Sequence, residues 1–386
     1  MLGSFNKSKI KSQRYWISLV IDIRSSSIGA SLVKNFKGKN KIPVILETYR
    51  EQIFYSEKPK SAEFIRRSHY TLNRVLAEIM SKKHDPVPLR NTYVFYGSPW
   101  YKHEIKKLKH IEKKITVLTD QYLKKIIKNT FIDTNKKELV EQKCISIKLN
   151  GYKTKEPINK KFKEMEIEFY ESILHQDTYD EVTKIVNSYT DGQPVHHRTH
   201  PLTVFEVITK KFEPIDNYTI IDISGEITEL TVVKKDEIKF IASVPHGSHF
   251  FVRGLSKKCN LDFLSSFSKL DLILNQEVDE HCEENSIKAF AEMKIEWAKE
   301  IREALKDSGI KSIPSNVFVL VDKEVSKLTR NILNEPEIYF GALKFKKKPN
   351  LFFINSSEVE NLCVYRNSVK KDSILSLEAN YVELSE

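Results

Sequence analysis

The sequence predicts an α/β protein built from two related halves, with a small α+β subdomain inserted between them. Three observations predict this: a strand–turn–strand pattern that occurs twice, helical segments after each copy, and an intervening stretch with different habits. At 386 residues the chain exceeds the usual single-domain range of roughly 100 to 200 residues, so separate cores are expected. Its 40% hydrophobic content, with 16 Tyr and 21 Phe, suffices to fill them.

The repeat is ungapped. Val20-Ile21-Asp22-Ile23-Arg24-Ser25-Ser26-Ser27-Ile28-Gly29 lies on Ile220-Ile221-Asp222-Ile223-Ser224-Gly225-Glu226-Ile227-Thr228-Glu229, and the match runs on to Val33 and Val233. In each copy an apolar strand ends in Asp, a small-residue turn follows, and a second strand begins. A third strand is expected at Val44 to Phe54, before a helix over Ala62 to Met80, and again at Ile238 to Val244, before helical segments reaching Leu274. Within the first helix Tyr70, Val75, Leu76 and Ile79 recur near a 3.6-residue period and mark the face expected to bury.

The middle of the chain reads differently. Strands are expected at Thr92 to Tyr96, Cys144 to Leu149 and Met165 to Tyr170, the last alternating as a strand with one wet face does, with a helix at Asp120 to Phe131. A helix over Thr178 to Asn187 precedes the break Asp191-Gly192-Gln193-Pro194. Further on come a long helix, Glu284 to Lys306, and a buried strand, Val317 to Val321, leading into a helix near Lys323 to Leu333. The last thirty or so residues pattern weakly, with a strand expected at Leu351 to Ile354.

Composition excludes several classes of function. Cys144, Cys259, Cys282 and Cys363 lie far apart, without the close pairs of metal knuckles or redox motifs, and read as buried thiols of a reducing compartment. The basic start lacks an apolar signal region, and no run of about 18 apolar residues occurs, so the chain is expected to be neither secreted nor membrane-spanning. Net charge is +11, with basic runs at Lys102 to Lys114, Lys124 to Lys128, Lys153 to Lys163 and Lys344 to Lys348. These read as solvated faces, and without a modular nucleic-acid signature no nucleic-acid partner is expected.

Other constellations carry little chemistry. His196-His197-Arg198-Thr199-His200 offers three imidazoles, but no Cys or fourth ligand is near, so it reads as a loop of surface histidines rather than zinc ligands. Ser248-His249 lacks a nucleophile elbow and reads as turn residues. Trp16, Trp100 and Trp297 are isolated and read as core.

Two Asp-tipped strands flanking an inserted subdomain resemble the actin-like ATPase superfamily, whose halves are ribonuclease H-like, and within it the bacterial FtsA (cell division) and PilM (type IV pilus assembly) families. Val20 to Ile28 stands where those families carry the first phosphate loop, and Ile221 to Thr228 where they carry the second. Leu149-Asn150-Gly151-Tyr152, Pro157 and the strand through Ile167 resemble the FtsA interaction subdomain. The resemblance spans roughly residues 15 to 335 and implies ATP with Mg²⁺ as cofactors. Asp22, Ser25, Ser26, Ser27, Asp222, Gly225, Thr228 and Gly247 then become candidate cofactor-binding residues, with Asp22 and Asp222 the candidate Mg²⁺ ligands. Small residues would let backbone N–H groups approach phosphate, and a carboxylate would hold the hydrated ion. The alternative role for each Asp is to cap the turn after its strand.

Departures from the pattern point to a degenerate site. Arg24 stands where a Gly is usual, Ser224 and Glu226 replace Gly in the second loop, and Glu226 would set negative charge beside a triphosphate. Asp322-Lys323-Glu324 replaces a Gly-Gly pair, and His246-Gly247-Ser248 has lost one Gly. By this resemblance 1–13 is a basic tail, 14–100 with 176–212 the first half, and 101–175 an inserted interaction subdomain. Residues 213–345 form the second half, with a helical subdomain at about 255–312, and 346–386 a C-terminal segment. The expected function is a cytoplasmic scaffold, weak or inactive as an ATPase, that recruits protein partners of a division or pilus complex at the membrane and self-associates into filaments. The end, Ser373 to Glu386, is acidic and lacks the basic amphipathic face of a lipid anchor, so membrane attachment is expected through a partner or the basic tail. An active ATPase or small-molecule kinase, and a basic nucleic-acid or anionic-lipid binder, are the rival readings.

Overall fold

The computed structural model describes residues 15–385, apart from 39–40, 54–60, 84–86, 131–138, 213–214, 276–283, 307, 322–325, 337, 339–340, 342–344 and 355–361. The basic tail, Cys282 and Asp322-Lys323-Glu324 therefore lie outside the described residues.

The first half begins with β1 (Tyr15–Ile23), β2 (Ser27–Phe36), β3 (Val44–Gln52), α1 (Ser61–Ser81) and β4 (Leu89–Tyr96). A four-stranded antiparallel sheet follows, made of β5 (Tyr101–Val117), β6 (Leu139–Leu149), β7 (Tyr152–Lys153) and β8 (Lys161–Leu174), with α2 (Asp120–Thr130) after β5. The chain returns through α3 (Gln176–Thr190), β9 (Val195–Thr199) and α4 (His200–Lys211). The second half holds β10 (Asn217–Ile223), β11 (Thr228–Lys234), β12 (Ile238–Val244), α5 (Ser248–Cys259), α6 (Phe263–Asn275), α7 (Glu284–Lys306), β13 (Asn316–Val321), α8 (Ser326–Leu333) and β14 (Asn350–Phe353). The end crosses back as β15 (Val364–Tyr365) and α9 (Ser373–Ser385).

The duplication is visible in the sheets. The first is ordered β15-β3-β2-β1-β4-β9 and the second β12-β11-β10-β13-β14. Each is an antiparallel meander followed by two parallel strands, so β3-β2-β1-β4-β9 repeats as β12-β11-β10-β13-β14. Asp22 pairs across to Gly29 and Asp222 to Glu229, at equivalent points of the two meanders.

Strand parity decides where the two Asp side chains point. Ile17, Leu19, Ile21 and Ile23 of β1 pack under α1 and α3, so Val20 and Asp22 face the other way. Ile221 and Ile223 of β10 face the core beneath α5 and α7, which turns Tyr218, Ile220 and Asp222 toward the same shared layer between the halves. That layer contains α4 and α9.

The structure corrects several expectations. Tyr70 is 64% exposed, because the buried stripe of α1 is Leu72, Val75, Leu76 and Ile79, and Tyr70, two residues before Leu72, falls on the opposite face. Cys144 is exposed and Cys259 half-buried; Cys363 alone of the described cysteines is buried. Trp16 is half-buried at the sheet margin under Arg90, whereas Trp100 and Trp297 are core. The terminal segment is not peripheral: from Ile374 to Val382 every side chain of α9 is buried, the all-round burial of a core helix.

Candidate functional site

The tips of β1 and β10 meet between the halves, and all eight candidate cofactor residues are buried there. What surrounds them is the protein itself. Arg24 is fully buried; its Nη2 is paired with Asp222 Oδ1, and its Nη1 reaches Oδ2 at 3.4 Å. Arg50, from β3, places Nη1 2.7 Å from Asp22 Oδ2 and 2.9 Å from Ser27 Oγ. The same guanidinium uses Nε on Asp372 Oδ2 at 2.7 Å, and Asp372 caps α9 by accepting from the backbone of Ile374 and Leu375 at 3.1 and 3.0 Å.

His200 ties the ring together. It opens α4, followed by Pro201 in the first turn, where a missing N–H costs nothing. Its Nε2 lies 3.1 Å from Asp22 Oδ1 and 2.9 Å from Glu378 Oε1, and its Nδ1 lies 3.3 Å from Asp222 Oδ2. Burial would raise the carboxyls of Asp22 and Asp222, but Arg50 beside the first, Arg24 beside the second and His200 between them hold both below the usual range. Burial, and then the Asp22 charge, push Glu378 up to about 8.

The two turns are joined as closely as the charged groups. Ser25 N donates to Ser224 Oγ at 3.2 Å, the two hydroxyls share a hydrogen bond at 2.8 Å, and Glu226 N donates to Ser25 Oγ at 2.9 Å. A Cβ on Gly225 would stand 3.1 Å from Ser26 Cα, so backbone meets backbone across the junction. Gly247 is pressed in turn against the second loop, where a Cβ would come within 2.4 Å of Ser224 O and Gly225 O. Thr228 Oγ1 donates to His246 O at 2.7 Å and accepts from Trp297 Nε1 at 3.1 Å, which leaves its hydroxyl committed to packing.

Glu226 turns away from the junction. Arg253 grips it at 2.6 and 3.0 Å and His249 Nδ1 at 2.9 Å. Burial would raise this carboxyl, but His249 and Arg253 outweigh it and hold it at about 2. Ser248 and His249 thus belong to the first turn of α5 rather than to a free turn. The histidine run likewise is not a surface loop: His197 and His200 are buried, and His196 stacks on Tyr93 at 4.8 Å. The pattern of β9 puts alternate residues into the core, and the first turn of α4 lies between the sheets.

A Mg²⁺-nucleotide needs carboxylates with open coordination positions, retained waters, and backbone N–H groups facing a phosphate. Here both carboxylates are taken by guanidinium and imidazole groups, and the loop donors face each other. The residues do not fit that group in this arrangement. Sequence reasoning found Asp22, Asp222 and the two loops from the repeat, but missed Arg50, Asp372 and Glu378, which come from elements without motifs. One signal was present: Glu378 is the one charged residue in the run Ile374 to Val382.

No protein-family model matches the sequence, and no curated protein matches it. Among solved structures it is similar to the PilM–PilN type IV pilus biogenesis complex, with TM-score 0.62 at 12% identity over 95% of this chain and 98% of that one. Weaker likenesses are to ethanolamine utilization protein EutJ from Carboxydothermus hydrogenoformans, with TM-score 0.41 at 9% identity over 96% and 90% of the two chains. Another is to a Bacteroides thetaiotaomicron protein of actin-like ATPase fold and unknown function, with TM-score 0.31 at 8% identity over 97% and 99%. At these identities the likeness concerns the fold alone. The chain has the duplicated actin-like ATPase fold, with a small α+β subdomain inserted in its first half.

Proposed function

We propose that this protein is a nucleotide-independent scaffold of the PilM and FtsA kind, which recruits a protein partner of pilus or division assembly at the inner face of the membrane. The observation that carries the reading is the junction itself: Arg24, Arg50 and His200 occupy the carboxylates that a nucleotide-bound Mg²⁺ would use, while Ser25, Ser224 and Glu226 join the two loops. Phosphoryl transfer depends almost wholly on positioned donors and metal, so a cleft filled this way supports binding roles over turnover.

The likeness to a structure of PilM with PilN supports a protein partner. The partner surface in this reading is the inserted sheet. Its edge strand β5 pairs, among the described residues, on one side only and exposes Ile111, Ile115 and Val117 toward its end. No helix among the described residues is long and apolar enough to cross a membrane, so membrane recruitment in this reading runs through the partner.

The test compares full-length protein with an Ile111→Asp/Ile115→Asp variant in co-purification with candidate assembly partners, with and without Mg-ATP. The reading expects capture that is lost in the variant and indifferent to nucleotide. Capture that requires ATP, or that survives the double substitution unchanged, contradicts it.

A further inference from the structure

We infer that the side-chain cluster between β1, α4 and α9 is a buried Zn²⁺ site whose ligands are Asp22, His200 and Glu378. The three ligand atoms lie within 4.8 Å of one another, and all three residues are buried. His200 Nε2 stands 3.1 Å from Asp22 Oδ1 and 2.9 Å from Glu378 Oε1. Tetrahedral Zn²⁺, at about 2.0 to 2.2 Å from nitrogen and oxygen, keeps its ligand atoms about 3.3 to 3.5 Å apart, so the imidazole and each carboxylate are already near that spacing.

Two further observations point to an ion. Glu378 Oε2 is buried without a hydrogen-bond partner among the described residues, on the same carboxylate whose Oε1 meets His200 Nε2. His200 Nδ1 lies 3.3 Å from Asp222 Oδ2, the outer carboxylate that orients a zinc-bound imidazole and fixes its tautomer. Arg50 reaches Asp22 at Oδ2, while His200 Nε2 meets the same carboxylate at Oδ1.

Arg24 pairs with Asp222, and Arg50 with both Asp372 and Asp22; a bound dication would displace the protons that His200 and Glu378 carry without it. The donor set selects zinc over magnesium: it contains an imidazole, and its full burial excludes the waters that Mg²⁺ retains. The ion would bind α9 and α4 to the tip of β1, with Asp222 linking the second half. It is a staple at the junction, distinct from the Mg²⁺ of a nucleotide and independent of whether a partner binds the inserted sheet.

The experiment is calorimetric titration of chelator-treated full-length protein with Zn²⁺, followed by thermal unfolding with and without the ion and by the same titration with Mg²⁺. The expected result is one Zn²⁺ per chain at micromolar concentration or tighter, a raised Tm, and no saturable Mg²⁺ binding. Glu378→Gln and the orienting variant Asp222→Asn should each weaken Zn²⁺ at least tenfold, while His175→Ala, a surface control, should not. Absence of saturable Zn²⁺ binding, or binding unchanged by Glu378→Gln, overturns the proposal. If Glu378→Gln does not fold, X-ray absorption on the wild-type zinc protein decides: one nitrogen ligand among oxygens supports the site, and several imidazoles or a thiolate overturn it.

Discussion

A buried guanidinium costs several kcal/mol in lost hydration unless its donors find acceptors, and Arg24 at 0% exposure finds Asp222. Removing one partner of such a pair exposes the full desolvation cost of the other. Arg24→Ala should therefore destabilise the protein by about 3 to 5 kcal/mol in urea unfolding; a cost below about 1 kcal/mol would mean that the junction is wet in solution. His197 gives a pH prediction of defined sign. Burial, and then the nearby positive charge of Arg198, lower it to about 4, whereas the unfolded chain titrates near about 6.5. Between those values the unfolded state binds the extra proton, so stability falls as pH drops through that window, by up to about 3 kcal/mol. Over the same range burial raises Glu141 to about 7, and that group acts in the opposite sense, so the measurement must be a difference. The stability gap between wild type and His197→Gln should shrink by about 2 kcal/mol from pH ~7 to pH ~5, and a constant gap would contradict a buried neutral imidazole.

At the scale of elements, α9 is the piece that sequence patterning missed. Its apolar residues show no single stripe because it is buried on every side, and Asp372, which starts it, is held by Arg50 from β3 more than 300 residues earlier in the chain. Leu375→Ala should cost about 2 to 5 kcal/mol, and ending the chain at Lys371 should leave protein that unfolds at much lower urea or is recovered insoluble. A truncated chain as stable as the full one would show that α9 is dispensable. The elements that were legible had local signals: the Asp-tipped strands β1 and β10 repeat each other, and the long helical stretch expected over Glu284 to Lys306 is α7. The site was legible only in part. Asp22 and Asp222 follow from the repeat, but of the groups that neutralise them only Arg24 lies in a repeated loop; Arg50 and His200 come from β3 and α4, and no spacing in sequence announces a contact made across the layer between two halves.

In the whole molecule the sheets of the two halves close on a shared charged junction, and a further polar contact lies where the inserted sheet begins. Glu229 of β11, 4% exposed, accepts from Tyr101 Oη at 2.7 and 2.8 Å and from Ser98 Oγ at 2.6 Å, which fastens the second half to the root of the inserted sheet. Tyr101→Phe should cost about 1 to 3 kcal/mol, read in urea unfolding, and no loss would show that the halves part there. Closure between the halves is also the central claim about function, and titration of Mg-ATP into full-length protein by calorimetry tests it most directly. The account expects no saturable heat up to millimolar ATP in the wild type. Saturable binding that disappears in an Asp22→Ala/Asp222→Ala variant would contradict it, because it would show that the loops separate and that both carboxylates are free to serve a nucleotide.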